Sequence, residues 1–360
     1  MIDINFFKET NNIKNKITKN SFSLDDVFII NSEFEKLRKK IPYIYNIETT
    51  NYCNMTCIMC PRTLYMTRKN IWIDDVLFEK ITDQVLKYSD TELDEFTKWL
   101  ETEYKQDSKE ISENGFYFST VAKSLVLHGF GEPFLDKKLV QRIEICARKK
   151  IPTYFSCTPA TMQVDKAMEV MKAGLGVLKF SLDAMGEREI QKIRGKRANF
   201  QDSVEKILEL LEFKEKNNLK TILVPCMIDM AEKSEDFDMH NDFLNFWKDK
   251  KVFAYIKSQD NRWLYDNEES LKKNLSHYSK QYCEYPWISC SIMSEGNVVP
   301  CTQISNNEIV LGNINTQSLI DIWNGEEYQK LRKMHLTGNF PKGHKCNEKC
   351  DMKKVYQYLK

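Results

Sequence analysis

Apolar residues along the chain fall into short strand-like runs that alternate with longer, helix-like amphipathic stretches. The six strand-like runs cover residues 43–49, 123–130, 151–157, 176–183, 220–228 and 251–258. Strands that alternate with helices favour a parallel sheet with right-handed crossovers. Six such units predict an α/β fold, a partial (β/α)6 TIM-like barrel, although a doubly wound sheet shows the same alternation.

Three parts of the chain depart from this alternation. Residues 1–42 begin with a polar stretch that predicts a loose N-terminal arm over residues 1–20, followed by a short helix. Residues 90–120 insert a highly charged helical stretch, which we interpret as a solvated surface helix; a lid over the barrel mouth is the alternative. After residue 260, short strands, turns and cysteines replace the alternation. The barrel is therefore predicted at 43–260 and a smaller C-terminal domain at 261–360.

The overall charge of the chain is nearly balanced. Its 360 residues include 53 Lys and Arg against 52 Asp and Glu, so no global field attracts nucleic acid or an anionic membrane. The N-terminal stretch lacks the continuous apolar run of a signal peptide, and no later stretch reaches membrane-spanning length. We therefore expect a cytoplasmic protein with neither a nucleic-acid nor a membrane partner.

Cysteines are the main chemical feature of the sequence. In a reducing compartment, clustered thiols indicate metal binding or catalysis rather than disulfides. Eight of the 11 cysteines fall into two groups, one near the start and one in the last eighty residues. The other three, Cys146, Cys157 and Cys226, lie in apolar surroundings, and we interpret them as buried small hydrophobic residues.

The first cysteine group is "NYCNMTCIMC", in which Cys53, Cys57 and Cys60 follow the first predicted strand with C-x3-C-x2-C spacing. Four thiolates saturate a [4Fe–4S] cluster, whereas three leave one iron with an open position. A structural zinc site requires a closed set of four ligands, so zinc is an alternative only if a residue from elsewhere completes it. The carboxyl end of a barrel strand is the catalytic face, which favours a cluster that binds a further ligand.

The segment "CNMTCIMCPR" resembles the signature of radical S-adenosylmethionine (SAM) enzymes. This resemblance implies that the amino and carboxylate groups of SAM chelate the fourth iron. It also implies that the cluster donates an electron to cleave SAM, and that the resulting 5′-deoxyadenosyl radical abstracts hydrogen from the substrate. A flavodoxin-type or ferredoxin-type electron donor is implied as a partner.

The segment "HGFGEP" (128–133), at the end of the second predicted strand, is similar to the "GGE" segment of the same family. The resemblance implies that the backbone around Gly129, Gly131 and Glu132 binds the amino group of SAM. Phe130 stands where the family has a second glycine.

Two further segments resemble cofactor-binding parts of this family. "FSLDAMGEREIQKIRG" is similar to its "SLDG…iRG" stretch, with Ala184 in place of the usual glycine. This implies that Ser181 lies near the ribose or the carboxylate of SAM, and that Arg194 pairs with the carboxylate. The alternative for Arg194 is a surface charge at a helix end. Ser156 and Thr158 stand where relatives carry a ribose-contacting segment.

The second cysteine group begins with "CEYPWISCSIMSEGNVVPC" (283–301) and ends with "CNEKC" (346–350). Together with "LGNI" and "IWNG", it resembles the auxiliary-cluster module of the SPASM/twitch branch of radical SAM enzymes. The resemblance implies one fully ligated [4Fe–4S] cluster held by Cys283, Cys301, Cys346 and Cys350. Cys290 alternates with strand positions, and we interpret it as packed. A zinc ribbon would fit four cysteines but would not explain the upstream signature.

A fully ligated second cluster cannot bind substrate without losing a ligand, so electron transfer is its expected role. With two [4Fe–4S] clusters and SAM, the spacing resembles that of the dehydrogenases of this branch. This implies oxidation of a hydroxyl on a small-molecule substrate, a sugar, cyclitol or nucleotide-sugar. The stretch "YIKSQDNRW" offers Lys257 and Arg262 as candidate bases.

Two other functional hypotheses remain open. The first is a peptide-modifying enzyme that forms a thioether or epimerises a residue, with Cys157 or Cys290 as a hydrogen donor. The second is a non-catalytic iron–sulfur or zinc scaffold.

Overall fold

The computed structural model describes residues 1–10, 32–107, 112–230, 235–250, 252–257, 283–337 and 339–348. Its nine strands are β1 (Tyr43–Ile47), β2 (Leu125–Val126), β3 (Thr153–Cys157), β4 (Val177–Ser181), β5 (Ile222–Ile228), β6 (Tyr255–Lys257), β7 (Ser289–Ile292), β8 (Asn297–Val299) and β9 (Gly312–Asn313). All nine belong to one sheet with the order β6-β5-β4-β3-β2-β1-β7-β8-β9.

The α-helices are Pro61–Leu64, Asp75–Thr82, Asp90–Thr102, Glu113–Ser119, Leu139–Arg148, Val164–Lys172, Glu187–Arg194, Phe200–Lys216, Glu235–Lys248, Tyr285–Ile288, Leu319–Asn324, Glu326–Thr337 and Lys345–Glu348. Residues 4–10 and 32–37 are also helical. Among the described residues, no helix is both long enough and apolar enough to cross a membrane.

The predicted α/β fold with a mainly parallel sheet is confirmed. Strands β1 to β6 are mutually parallel and lie in chain order. A doubly wound sheet requires the strand order to reverse at a switch point, and this half of the sheet has no such reversal. Chain order therefore favours the partial barrel, whose carboxyl strand ends all lie on one side.

The C-terminal strands extend the same sheet. Strand β7 runs parallel to β1, with Cys290 in register with Ile44, and β8 and β9 then add antiparallel neighbours. The cysteine-rich region is consequently hydrogen-bonded to the first barrel strand, the strand that leads into the Cys53 loop. The predicted domain boundary near residue 260 lies outside the described residues.

The chain start and the insert close the amino end of the barrel. The predicted loose arm is wrong for residues 1–10, because Ile2, Ile4, Phe6 and Phe7 are each at most 1% exposed. These side chains form one apolar cluster with Phe96, Leu100, Tyr117 and Phe118 of the insert.

The described part of the insert lies at the amino end of the barrel. The Phe116 ring lies 5.5 Å from Tyr154 and 5.1 Å from Tyr255, which stand near the amino ends of β3 and β6. No described residue of the insert lines the cavity at the opposite, carboxyl end. The lid alternative therefore finds no support. Helix Asp90–Thr102 is a surface helix, as predicted, with Phe96 and Leu100 as its buried residues. Helix Glu113–Ser119 packs more deeply, with Tyr117 and Phe118 buried.

Candidate active site

A cavity opens at the carboxyl ends of the barrel strands and contains about 1010 Å³ of space, including open solvent at its mouth. The predicted site residues that line it are Cys53, Cys57, Cys60, Gly129, Gly131, Glu132, Ser156, Thr158, Ser181, Arg194 and Lys257. Arg262 and Cys350 lie outside the described residues. Five separate sequence segments thus meet around one space.

The cysteine loop is held against the end of helix Glu187–Arg194. The amide of Ile58 donates a 3.0 Å hydrogen bond to the carbonyl of Ile193. Gly195 has a φ of 93°, and a Cβ at this position would overlap the Thr56 hydroxyl. Glycine is therefore required both by the backbone conformation and by the close approach of the loop.

Arg194 is part of the cavity wall, not a surface charge. Its guanidinium pairs with the buried carboxylate of Asp183, and its Nη1 donates to Cys57 Sγ at 3.6 Å. The other oxygen of Asp183 accepts a 2.9 Å hydrogen bond from the amide of Ile228. Among the described residues, Asp183 is therefore the carboxylate that pairs with Arg194. The Nη1 atom of the guanidinium faces Cys57.

Three thiols of one loop, those of Cys53, Cys57 and Cys60, line the cavity. Three thiolates would leave one iron of a [4Fe–4S] cluster open to a further ligand. Burial raises the pKa of Cys53 to about 12 and also raises that of Cys57, on which the Arg194 charge acts in the opposite direction. Iron coordination must therefore displace these thiol protons.

The "HGFGEP" loop packs tightly onto the end of β1. A Cβ on Gly131 would overlap the carbonyl of Thr50, and one on Gly129 would lie 2.7 Å from Glu48 Cγ. The amide of Glu132 donates a 2.8 Å hydrogen bond to the carbonyl of Tyr52. The two glycines thus allow the loop to lie beside the residues that precede Cys53.

The Glu132 side chain holds the "HGFGEP" loop in place through hydrogen bonds to backbone amides. Its carboxylate accepts hydrogen bonds from the amides of Thr158 at 2.9 Å and Phe134 at 3.3 Å. Burial raises the pKa of Glu132 to about 7, although both backbone hydrogen bonds act in the opposite direction. The carboxylate therefore connects the ends of β2 and β3.

Phe130, which stands where the family has a second glycine, has a structural role. Its side chain is 6% exposed and packs with Met293, Val299 and Ile304, which come from the cysteine-rich C-terminal region. This apolar contact joins the loop at the end of β2 to the β7–β8 hairpin.

A buried ion pair joins the end of β1 and the loop around Phe130 to the β7–β8 hairpin. Arg68 binds both oxygens of the fully buried Glu48, at 2.7 and 2.8 Å, and also binds Glu295 at 2.9 Å. Glu48 also accepts hydrogen bonds from the Phe130 amide at 3.1 Å and the Ser294 hydroxyl at 2.9 Å. The bidentate geometry fixes the hairpin relative to the cavity.

Polar groups from β2, β3 and β4 meet inside the cavity. The hydroxyls of Ser156 and Ser181 lie 3.2 Å apart, and the amide of Ser156 donates to Nδ1 of His128 at 3.2 Å. Because Nδ1 accepts this bond, the neutral ring carries its proton on Nε2.

The sequence does not single out three further lining residues as site residues, namely His128, Lys179 and Cys226. Lys179 precedes Ser181 by two residues, so the alternation of strand side chains was a signal that it shares the same face. The three cysteines outside the two groups are buried as predicted, yet Cys157 and Cys226 also border the cavity.

The second cysteine group is partly described. Cys283 and Cys346 are buried and Cys301 is half-buried; burial raises the pKa of Cys301 to about 11. Cys290 is fully buried within β7, as a packed residue would be, and burial raises its pKa to about 12. Since Cys350 lies outside the described residues, the predicted four-cysteine ligand set stays a prediction.

The family follows from comparison with known sequences. Residues 47–229, more than half of the chain, match the radical SAM superfamily. This chain belongs to the radical SAM superfamily. Residues 283–351 match SPASM, an iron–sulfur cluster-binding domain. The two matches confirm the family resemblance of both cysteine groups, and they support SAM and [4Fe–4S] clusters as the cofactors.

Individual relatives are more distant. The chain is 28% identical over 117 residues to the S-adenosyl-L-methionine-dependent 2-deoxy-scyllo-inosamine dehydrogenase of Niallia circulans, a match covering 31% of this chain and 46% of that protein. The structure of Streptococcus suis SuiB bound to precursor peptide SuiA has a TM-score of 0.56 and 12% identity, over 89% of this chain and 73% of that one. The structure of BtrN in complex with AdoMet and 2-DOIA has a TM-score of 0.46 and 16% identity, over 84% and 89%. The likeness to SuiB concerns the fold alone.

Proposed function

We propose that this radical SAM enzyme is an oxidoreductase that converts a hydroxyl of a sugar, cyclitol or nucleotide-sugar to a carbonyl. The observation that carries the proposal is that every described residue predicted for the first cluster and for SAM lines one cavity, and that β1, the strand leading into the Cys53 loop, pairs with β7 of the cysteine-rich region. The partial sequence match to a dehydrogenase supports oxidation rather than another radical reaction.

Cys53, Cys57 and Cys60 would hold the cluster, and the backbone of Gly129 to Glu132 would bind the amino group of SAM. When bound, the cluster and SAM supply one-electron reduction and hydrogen-atom abstraction. Thr158 together with the Ser156–Ser181 hydroxyl pair would contact the ribose or carboxylate. Arg194 would act on both the SAM carboxylate and Cys57, since Asp183 holds its guanidinium in place.

Oxidation of an alcohol to a carbonyl removes one hydrogen atom, one proton and one electron. The four cysteines Cys283, Cys301, Cys346 and Cys350 would hold a single auxiliary cluster of the twitch kind, which would accept the electron. Lys257 lines the cavity and is the better of the two candidate proton acceptors, because the guanidinium of Arg262 stays protonated. A flavodoxin-type or ferredoxin-type protein of the cytoplasm would supply the reducing electron.

Iron and sulfide content after anaerobic reconstitution tests the two-cluster assignment on which this proposal depends. We expect about eight irons per chain in the wild type and about four in a Cys53/Cys57/Cys60→Ala variant, with loss of 5′-deoxyadenosine production. Cys146→Ala, at a buried cysteine that does not line the cavity, is the matched control and should keep both properties. About four irons in both wild type and triple variant would overturn the proposal.

Peptide epimerisation is the second candidate, and one observation favours it. Cys157 borders the cavity, so its thiol could return a hydrogen atom to a substrate radical. Epimerisation requires such a donor, whereas alcohol oxidation does not. If a Cys157→Ala variant, tested with a cognate substrate, consumed SAM but formed no product, epimerisation would be favoured.

A further inference from the structure

The loop that carries the first three cysteines also presents side chains outside the cavity. Cys57 and Cys60 line the cavity, whereas Ile58, which lies between them in the sequence, does not line it and is 51% exposed. The short helix Pro61–Leu64 begins directly after Cys60, and Leu64 at its end is 49% exposed and likewise outside the cavity. Large apolar side chains thus meet solvent close in sequence to two proposed iron ligands.

Exposed cations stand beside these apolar side chains. The amide of Ile58 donates a 3.0 Å hydrogen bond to the carbonyl of Ile193, so the end of helix Glu187–Arg194 lies against the loop. The exposed cations next to this contact in the sequence are Lys192, Lys196 and Arg197. None of the three lines the cavity or forms an ion pair with a described residue. We call Ile58, Leu64 and these three cations the outer face.

The positive charge around the outer face is local. Residues 49–73 contain three Lys and Arg and residues 190–199 contain four, and neither segment contains Asp or Glu. The whole chain, in contrast, has 53 Lys and Arg against 52 Asp and Glu. Two of these seven cations, Arg68 and Arg194, pair with buried carboxylates. The others leave an excess of positive charge at this surface, which attracts a negatively charged partner.

Reductive cleavage of SAM requires one electron from outside the protein. Electron transfer between two proteins slows steeply as the distance between their redox centres grows, so an efficient donor docks close to the cluster ligands. On the cavity side, SAM and substrate would stand between the donor and the cysteines. The outer face is open, and an apolar centre with a charged rim is typical of a protein–protein contact. Encounters between redox proteins also need only a small interface.

We propose that the outer face is the docking surface for an acidic one-electron donor protein. Ile58 and Leu64 contact the donor, and the three cations pair with carboxylates around its redox centre. The donor is oxidised by one electron and the first cluster is reduced by one electron, with no bond formed or broken. This inference rests on the proposed function, which needs an external electron, and it assigns where that electron enters.

Binding of an oxidised, acidic flavodoxin to the reconstituted enzyme tests the inference, measured by calorimetry at low and at high salt. We expect wild-type affinity to fall as salt rises, because the ions screen the attraction between exposed charges. At low salt, affinity should fall about tenfold or more when the three cations are reversed. That charge-reversed variant is Lys192→Glu/Lys196→Glu/Arg197→Glu.

The matched control reverses three exposed cations just before the amino ends of β3 and β5, at the opposite end of the barrel. It is Arg148→Glu/Lys216→Glu/Lys220→Glu, and it should bind flavodoxin as wild type does. A second readout compares two reductants in the formation of 5′-deoxyadenosine. Reduced flavodoxin should drive the charge-reversed variant about tenfold more slowly than wild type. Excess dithionite, which needs no docking surface, should drive both at the same rate.

Three outcomes would overturn the inference. The first is equal flavodoxin affinity in wild type and the charge-reversed variant at unchanged iron content. The second is an equal loss of affinity in the control. The third is a wild type that dithionite reduces but flavodoxin neither binds nor reduces. If charge reversal prevents folding, Lys192→Gln/Lys196→Gln/Arg197→Gln applies the same test with a smaller expected loss. Iron content and dithionite-driven product formation report on the proposed function, so either idea can fail alone.

Discussion

The guanidinium of Arg194 donates a hydrogen bond to the sulfur of Cys57 across 3.6 Å. The two residues are far apart in the sequence, and Asp183 fixes the guanidinium from its other side. In the proposed cluster site, the cationic guanidinium would donate a hydrogen bond to Cys57, one of the three iron ligands. Hydrogen bonds to cluster sulfurs are among the factors that set reduction potential.

Replacing Arg194 with Gln should lower the reduction potential of the first cluster, because the donor stabilises the electron added on reduction. We expect a shift on the order of tens of millivolts. The measurement is a redox titration followed by electron paramagnetic resonance, in a Cys283→Ala/Cys301→Ala background that removes the proposed auxiliary signal. Arg188→Gln, on the exposed side of the same helix, is the control. An unchanged potential in Arg194→Gln would show that the contact does not tune the cluster.

Replacing Phe130 with Gly restores the family pattern but should destabilise this protein. The ring is buried among Met293, Val299 and Ile304, and removal of a buried aromatic side chain costs about 3–5 kcal/mol. Phe130→Leu, which keeps most of the apolar contact, should cost far less. Denaturant unfolding of both variants measures the difference, and iron content shows whether the hairpin still supports its cluster. Equal stability of Phe130→Gly and wild type would contradict the assigned packing role.

Much of the barrel was predictable because burial of both sheet faces leaves strong apolar runs at each strand. The glycines of "HGFGEP" were also predictable, and the structure gives the reason: Gly131 approaches the carbonyl of Thr50 too closely for any side chain. Cysteine spacing is equally local, which is why Cys53, Cys57 and Cys60 could be recognised together.

Other features depend on contacts that leave no local pattern. The parallel pairing of β7 with β1 joins residues such as Ile44 and Cys290, and no periodicity in either segment encodes the partner. The ion pair between Arg194 and Asp183 likewise depends on the fold. The prediction of a loose arm is wrong for residues 1–10 because their apolar positions, Ile2, Ile4, Phe6 and Phe7, directly precede a polar Asn- and Lys-rich stretch that gives the segment a polar average.

Cys290 and Cys301 offer a matched pair of substitutions in the second cysteine group. Cys290 is 0% exposed within β7, whereas Cys301 follows β8 and is half-buried. We expect Cys301→Ala to lose the auxiliary irons and Cys290→Ala to keep them, with only the modest cost of a small core cavity. Iron analysis of the reconstituted variants measures this. Loss of iron in Cys290→Ala without loss of folding would make Cys290 a ligand and would require a revised cluster assignment.

Glu132 should make the stability of the protein depend on pH. Burial raises the pKa of this carboxyl from 4.5 to about 7 in the folded protein. Between these two pH values the folded state holds a proton that the unfolded state has released, so stability falls as pH rises across the interval. The full effect is on the order of 3 kcal/mol. Glu132→Gln cannot titrate and should lack this component.

Denaturant unfolding of reconstituted, SAM-free wild type and Glu132→Gln across that interval measures the effect. The difference in stability between the two proteins should shift in favour of the glutamine variant as pH rises, because only wild type must ionise a buried carboxyl. Glu169→Gln, at an exposed position of helix Val164–Lys172, should run parallel to wild type. A difference that does not change with pH would mean that the carboxyl is already ionised in the folded state. The backbone hydrogen bonds from Thr158 and Phe134 would then outweigh desolvation.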